Sequence, residues 1–362
     1  MLRNYLVTAL RNIVRHKLYS FINIAGLTVG LTCAIFIILF VRDELSYDRW
    51  IAGTDHLYRV ERTTSYNPGR PPSVLSGTAF PVPDAMLAEL PEVKAAVHLE
   101  AYRMTVTTGN RQFLDQVNVV SPNFFQIIRL PLMAGDRSAL FAQPESVVIS
   151  ERAARKYFGS GTAIGQMLKV GGLCEYGDPN ISGCVTREAS VMVTGVMRIL
   201  PHNTQLSGDV FIPNTSAADP MSQYRKTDWG SSSGGWGYVE LRPGADAQSV
   251  MAKLPALIDR NFDPRKTSGI SLRGSEVERY RLTPFRDDHL STDRYGSLRP
   301  AGSWATVYGF AAIGALILLI ACFNFTNLAT ARAMVRAREI SLRKTMGARR
   351  GQLMSSFSAS RS

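Results

Sequence analysis

Polar and apolar positions divide this chain into two long uncharged blocks with a mixed stretch between them. Phe21 to Val41 carries no charged side chain, and neither does Ala301 to Ala331. About 20 apolar residues at 1.5 Å each match the roughly 30 Å hydrocarbon core of a bilayer, so each block predicts a transmembrane helix. A secretory signal would have a shorter apolar run and a small-residue cleavage site after it. Here bulky Phe40-Val41 leads into Arg42-Asp43-Glu44, which predicts a retained span. Gly26 and Gly30 have the Gly-x-x-x-Gly spacing that permits close helix packing, although such pairs are common in membrane helices.

The flanks of the two blocks are basic and helical in pattern. Leu6, Leu10, Ile13, Val14 and Leu18 recur at helical spacing beside Arg3, Arg11, Arg15 and Lys17. That pattern predicts a helix lying in the headgroup layer, the alternative being a short helix packed on the protein. After the second block, Ala331 to Arg350 is rich in helix formers and basic residues, with Gly347 as a helix stop. The expected organisation is therefore an interfacial helix over 1–20, a span over 21–41, a large domain over 42–300, a second span over 301–331 and a basic helix over 332–362.

The central stretch alternates short strand and helix patterns. Strands are expected at Tyr58–Thr63, Ala95–Thr107, Asp115–Val120, Ser146–Ile149, Ser190–Met197 and Tyr238–Leu241. Helices are expected at Val82–Leu90, Ser150–Tyr157 and Ala247–Asn261. Tracts around Tyr66–Pro72, Gly171–Gly183 and Ser231–Gly235 are rich in Gly, Pro and Ser and read as loops. The fold class is thus a membrane protein, two transmembrane α-helices flanking a large α+β domain of two lobes.

Charge decides the orientation. The net charge of +12 suggests nucleic acid until its placement is considered. Residues 1–20 carry four basic side chains and no acid, and residues 332–362 carry eight basic side chains against Glu339 alone. Nearly all the excess flanks the spans, which favours a positive-inside bias over nucleic-acid binding. Lys and Arg counts around the second span, three before it and seven in residues 332–350, place both termini in the cytoplasm and the central domain outside.

Candidate chemistry is sparse. The chain has no phosphate-cradling Gly-x-x-x-x-Gly-Lys-Ser/Thr loop and no His-Glu-x-x-His pair. Gly159-Ser160-Gly161 with Gly165 reads as a turn, and Asp287-Asp288-His289 as a solvated loop. Nothing in this pattern argues for an enzyme. Cys33 and Cys322 fall within the spans, where a buried free thiol is ordinary. Cys174 and Cys184 lie ten apart in the Gly-rich tract, on the side inferred to be oxidising, and predict a disulfide. A metal site at this pair would need two more ligands, and no cysteine or histidine clusters nearby.

Several stretches carry a resemblance to a known family. They are Asp43-Glu44-Leu45-Ser46-Tyr47-Asp48, Val120-Ser121-Pro122-Asn123-Phe124-Phe125 leading to Ala134-Gly135-Asp136, and Val148-Ile149-Ser150-Glu151 with Ala154-Arg155-Lys156-Tyr157-Phe158-Gly159. Val193-Thr194-Gly195-Val196 also fits, and the tightest match is Arg338 to Ala348, similar to an "EIGxRKxxGA" segment. Together with the order of parts, these resemble the permease subunits of MacB/FtsX-type ABC transporters over nearly the whole chain. The resemblance implies a bacterial inner-membrane protein whose outside region is a MacB-like periplasmic core domain. It also implies that Glu339, Arg343, Lys344 and Gly347 meet a separate ABC ATPase, which binds the ATP, so that this chain needs no cofactor of its own. Motion of that ATPase would be relayed to the periplasmic domain for export or mechanotransmission. Further implied partners are the lipid bilayer, a second copy or paired permease, and a periplasmic protein, with no nucleic acid. Family members continue into two more spans, so the resemblance also implies a fragment, a frameshifted reading or one piece of a split permease. Two rival readings are an FtsX-like scaffold regulating a periplasmic hydrolase and a two-span receptor. The receptor reading requires a signalling module after the second span, for which thirty residues are too few.

Overall fold

A computed structural model describes residues 17–66, 69–176, 184–223, 225–230, 235–291 and 298–345. In chain order the elements are α1 (Lys17–Glu44), β1 (Leu57–Thr64), β2 (Ser73–Leu75), α2 (Val82–Glu89), β3 (Val93–Thr108), β4 (Arg111–Val120) and α3 (Phe124–Ile127). There follow β5 (Leu132–Ala134), β6 (Ser146–Ser150), α4 (Glu151–Phe158), β7 (Met167–Tyr176), β8 (Cys184–Met197), β9 (Val210–Pro213) and β10 (Trp236–Leu241). The last are α5 (Ala247–Asn261), α6 (Pro264–Ser268), α7 (Gly274–Val277), β11 (Glu278–Pro284) and α8 (Trp304–Thr345). They divide into two compact units, one of residues 1–45 with 305–362 and one of residues 46–304.

The first unit is a pair of apolar helices. Ile24–Glu44 and Trp304–Asn327 are long and apolar enough to cross a membrane. Their outward faces carry bare Phe36, Ile320 and Phe323, each about two-thirds exposed. So much apolar surface is unfavourable in water and costs nothing in hydrocarbon. The helices meet where side chains are smallest. A Cβ on Gly30 would lie 3.5 Å from that of Ala321, and one on Gly26 3.7 Å from the Asn324 amide nitrogen. Gly314 faces Ile37 from the other helix, and the Phe40 and Phe310 rings lie 5.0 Å apart further along. The Gly26/Gly30 pair of the sequence is therefore used for close approach. The interfacial helix expected over 1–20 lies outside the described residues, except that Lys17–Ser20 begin α1.

The second unit is built on one mixed sheet of 11 strands, and β3 is its axis. The 16 residues of β3 are long enough to serve two sets of neighbours. Its first half pairs with β10, and β1 and β11 continue from β10 as an antiparallel wing. Its second half pairs with β4 on one side and β7 on the other. From there the ladder returns on itself, because β4 pairs with β9, β9 with β6, β6 with β8 and β8 with β7. Six strands thus close a small ring, which removes sheet edges and leaves an interior that only side chains can fill.

The apolar pattern follows this topology. The ring interior holds Met104, Val106, Val117, Val119, Val147, Ile149, Val170, Val191 and Val210, with Ala153 and Tyr157 of α4 packed in the same cluster. The wing buries Val60, Ala96 and Val239 against Val82 and Met86 of α2 and Val250, Leu254, Leu257 and Ile258 of α5. Neighbouring residues of opposite facing, Val97, Leu99, Tyr238, Val148 and Phe211, form a third cluster with Phe124 and Phe125 of α3. Successive strand residues point to opposite faces, so this split is the expected consequence of period-two burial. Capping sets the helix ends: Ser150 Oγ accepts from the Ala153 amide at 3.1 Å, and Asp246 accepts from the Gln248 and Ser249 amides.

One sequence expectation is corrected here. The tract at 171–183 reads as a loop, yet its first residues are strand, with Gly172, Leu173 and Cys174 paired to β8. Gly171 and Gly172 have φ of 117° and 84° and sit at a register shift, so the glycines make a bulge inside β7 rather than ending it.

Candidate coupling site

Two features of the structure bear on a relay, and the first is α8. Its 42 residues form one unbroken helix from Trp304 to Thr345. At 1.5 Å per residue it is about 63 Å long, roughly twice the hydrocarbon thickness. The uncharged segment ends at Ala331, and the helix carries on through Arg332, Arg336 and Arg338 without a Pro or Gly to interrupt it. Glu339, Arg343 and Lys344 lie on the last two turns, with Glu339 and Arg343 four residues apart. Gly347 lies outside the described residues.

The second feature is a knot of polar contacts within the domain, made where the chain enters it and where it leaves. Residues 46–48 directly follow Leu45 in sequence. The Asn203 side-chain amide donates to Ser46 Oγ at 2.9 Å, and the Asp48 amide donates to the Asn203 carbonyl at 3.1 Å. Asp48 takes φ 56°, a left-handed conformation that a short Asp tolerates and a bulky residue resists. Its buried carboxylate accepts from the Thr204 hydroxyl and, at 3.1 Å, from the Gln205 amide. The Gln205 side chain contacts His289 Nδ1, and the His289 ring stacks on Tyr47 with centroids 3.4 Å apart. On the exit side, the Gly302 amide donates to the His289 carbonyl at 2.8 Å, and Arg299 donates to the His202 carbonyl at 2.9 Å. Residues 202–205 and His289 therefore fasten both ends of the domain to one another.

A chain of charges extends from this knot into the wing. Asp288 pairs with Arg59 at 2.8 Å, Arg59 with Glu61 at 2.9 Å, and Glu61 with Arg281 at 2.5 Å. Arg59, Glu61 and Asp288 are all buried. Burial pushes the Asp48 carboxyl up to about 6, opposed by its hydrogen bonds to Thr204 and Gln205 and by the charge of Arg299. Burial likewise pushes Asp288 up to about 7, opposed by Arg59 and reinforced by Glu61 and Asp48.

Asp287-Asp288-His289 was expected to be a solvated loop, and this is overturned, because Asp288 and His289 are each only 3% exposed. A 3-10 turn at Phe285–Asp287 buries Phe285 against Tyr238, and the next two side chains are carried inward with it. Asn203, Thr204 and Gln205 were missed by sequence reasoning. The available signal was the polar Asp43–Asp48 motif directly after a span, a position where a buried acid requires partners from elsewhere in the chain. The other expected site, Cys174 with Cys184, is placed by the backbone as a directly paired position of β7 and β8.

Two apolar helices, each long enough to cross a membrane, flank a mixed α+β domain in the chain, which is the order of parts of a membrane-anchored protein. The MacB-like periplasmic core domain family matches residues 20–257. A relative in Pseudomonas syringae pv. tomato (strain ATCC BAA-871 / DC3000), the probable syringafactin export ATP-binding/permease protein SyfD, is 21% identical over 354 residues. That alignment covers 95% of this chain and 46% of the relative, so the chain spans about half the length of the curated relative it matches. A solved domain of a Porphyromonas gingivalis protein described as a permease has a similar fold, with TM-score 0.51 at 21% identity, covering 72% of this chain and 99% of that one. The periplasmic region of MacB from Actinobacillus actinomycetemcomitans aligns at TM-score 0.38 and 12% identity, covering 65% and 90%. The chain belongs to the MacB-like periplasmic core domain family, found in MacB-type ABC transporter permeases.

Proposed function

We propose that this chain is a permease subunit, or the front portion of one, that relays ATP-driven motion of a separate ATPase to its periplasmic domain. The observation that carries this reading is the continuity of α8 from the domain's exit, through the span, to the basic turns that bear Arg343 and Lys344. A helix without Pro or Gly in its last 30 residues resists bending, so displacement at one end reaches the other. The polar knot supports the same reading. It ties the residues after the first span to those before the second, so the domain receives motion from both as one body. In this proposal both termini are cytoplasmic, and Glu339, Arg343, Lys344 and Gly347 meet the ATPase. A second copy or paired permease and a periplasmic protein complete the assembly. Export is the activity suggested by the relative's name. The test is co-purification of the membrane-extracted chain with the ATP-binding protein. Arg343→Glu with Lys344→Glu is expected to lower recovery about ten-fold or more, since each reversal turns an attraction into a repulsion. Unchanged recovery overturns the assignment of these residues.

A further inference from the structure

The wing end of the domain is held by two helices, but the ring has a weak point at β7. Its pairing to β8 shifts register between Val170 and Gly172, where Gly171 and Gly172 bulge out of the strand. Its pairing to β3 shifts at the corresponding place, between Met104 and Val106. Beyond these shifts β7 continues for a few residues, with Met104↔Cys174, Arg103↔Glu175 and Tyr102↔Tyr176 on one side. On the other side the partners are Gly172↔Thr186, Leu173↔Val185 and Cys174↔Cys184. The outer part of ring closure therefore rests on a short ladder entered through two glycines.

At the end of that ladder the backbone places two cysteines opposite one another. Directly opposed residues of an antiparallel pair have Cα atoms about 4.5 or 5.5 Å apart, and both values fall within the range a disulfide bridges. The remaining cysteines, Cys33 and Cys322, lie in the apolar helices, so the domain holds no competing thiol. We propose that Cys174 and Cys184 form a disulfide that pins the outer end of β7 to β8 and so holds the ring closed beyond the bulge. The proposal requires the domain to face the oxidising side of the membrane but does not require ATPase coupling. Each thiol gives up one proton and one electron. The acceptor is the disulfide of a periplasmic dithiol oxidant, which leaves as the dithiol while the sulfur–sulfur bond forms here. The cross-link joins positions ten residues apart, and its effect is to hold the paired ends of β7 and β8 together.

The full chain, extracted in detergent and denatured without reductant, is treated with a mass-tagged maleimide. Two tags are expected, on Cys33 and Cys322, rising to four after reduction. Protease digestion of the untreated protein is expected to yield Cys174 and Cys184 in one linked species, lighter by two hydrogens than the separate peptides. Four tags without reduction, or linkage of Cys174 to another copy, overturns the pairing. The locking role is read by amide hydrogen exchange. Reduction, or Cys174→Ser with Cys184→Ser, is expected to accelerate exchange at Leu173–Glu175 and Tyr102–Met104 on the order of ten-fold, with wing amides unchanged. Equal exchange in oxidised and reduced protein overturns the lock.

Discussion

The Tyr47 ring lies flat on the His289 imidazole, with centroids 3.4 Å apart and planes within 4° of parallel. Residue 47 directly follows the first span's segment and residue 289 precedes the second's, so one stacked pair joins the two ends of the domain. Replacing His289 with Ala removes the stack and also the partner of the Gln205 amide. The expected cost is about 2–4 kcal/mol, combining lost packing with a desolvated amide. Tyr47→Phe keeps the ring and should cost under about 1 kcal/mol. Thermal unfolding of the detergent-solubilised chain reads both, and Tyr47→Ala combined with His289→Ala should cost less than the sum of those two single changes, since each removes the same stack.

The buried acids of the same knot give the stability a pH dependence. Asp48 is raised to about 6 and Asp288 to about 7, from an unfolded value near 3.8. A raised acid binds more protons in the folded state, so stability is greatest below the unfolded value and falls as pH rises towards the folded one. The decline is expected between about pH 4 and pH 7, with up to roughly 3 kcal/mol from Asp48 alone. Asp48→Asn keeps the carbonyl acceptor and tolerates the left-handed backbone. Urea unfolding of that variant across this range should show a flatter decline than the unsubstituted protein, and an identical slope would assign the effect elsewhere.

What the sequence revealed and what it hid divide along the range of the interactions involved. The spans, α5 and β6 are set by local apolar pattern and caps such as Asp246, and were legible on that basis. The bulged end of β7 was not, because glycine content signals a loop while the hydrogen bonds that make it strand come from β3 and β8. Closure of the ring likewise depends on pairings between distant segments, which no local period encodes. Asp288 and His289 look like solvent-facing residues by composition. Their burial follows from Phe285, whose aromatic ring seats the whole turn. Arg343 and Lys344 were chosen by motif resemblance, and the structure adds that they continue the same helix as the second span.

The glycine seam between α1 and α8 predicts a size limit. A Cβ on Gly30 meets Ala321 at ordinary contact distance, so Gly30→Ala should be tolerated. Gly30→Leu cannot fit without parting the helices. Gly314 is tighter, since a Cβ there would lie 3.0 Å from an Ile37 methyl. In a chain with Cys33 and Cys322 replaced by serine, cysteines introduced at Ile37 and Gly314 should cross-link under mild oxidation, and Gly30→Leu should suppress that cross-link several-fold. Equal cross-linking in both backgrounds would exclude the seam as the helix contact.

Continuity of α8 makes the most direct prediction about the relay. Met334 lies on the helix after the uncharged segment and is 64% exposed, so changing it sacrifices little packing. Proline there removes a backbone donor and clashes with the preceding turn, kinking the helix at a cost of about 3 kcal/mol. Arg343 and Lys344 remain in sequence beyond the kink, so Met334→Pro should leave ATPase co-purification within about two-fold of normal, while Met334→Ala should change nothing. The periplasmic domain should nevertheless stop responding to ATP. In the proposed assembly of two copies with the ATPase, the readout is the ATP-dependent change in distance between spin labels on the two domains. If Met334→Pro binds the ATPase and still shows the full change, motion reaches the domain by a route other than this helix, and the rod-like relay is wrong.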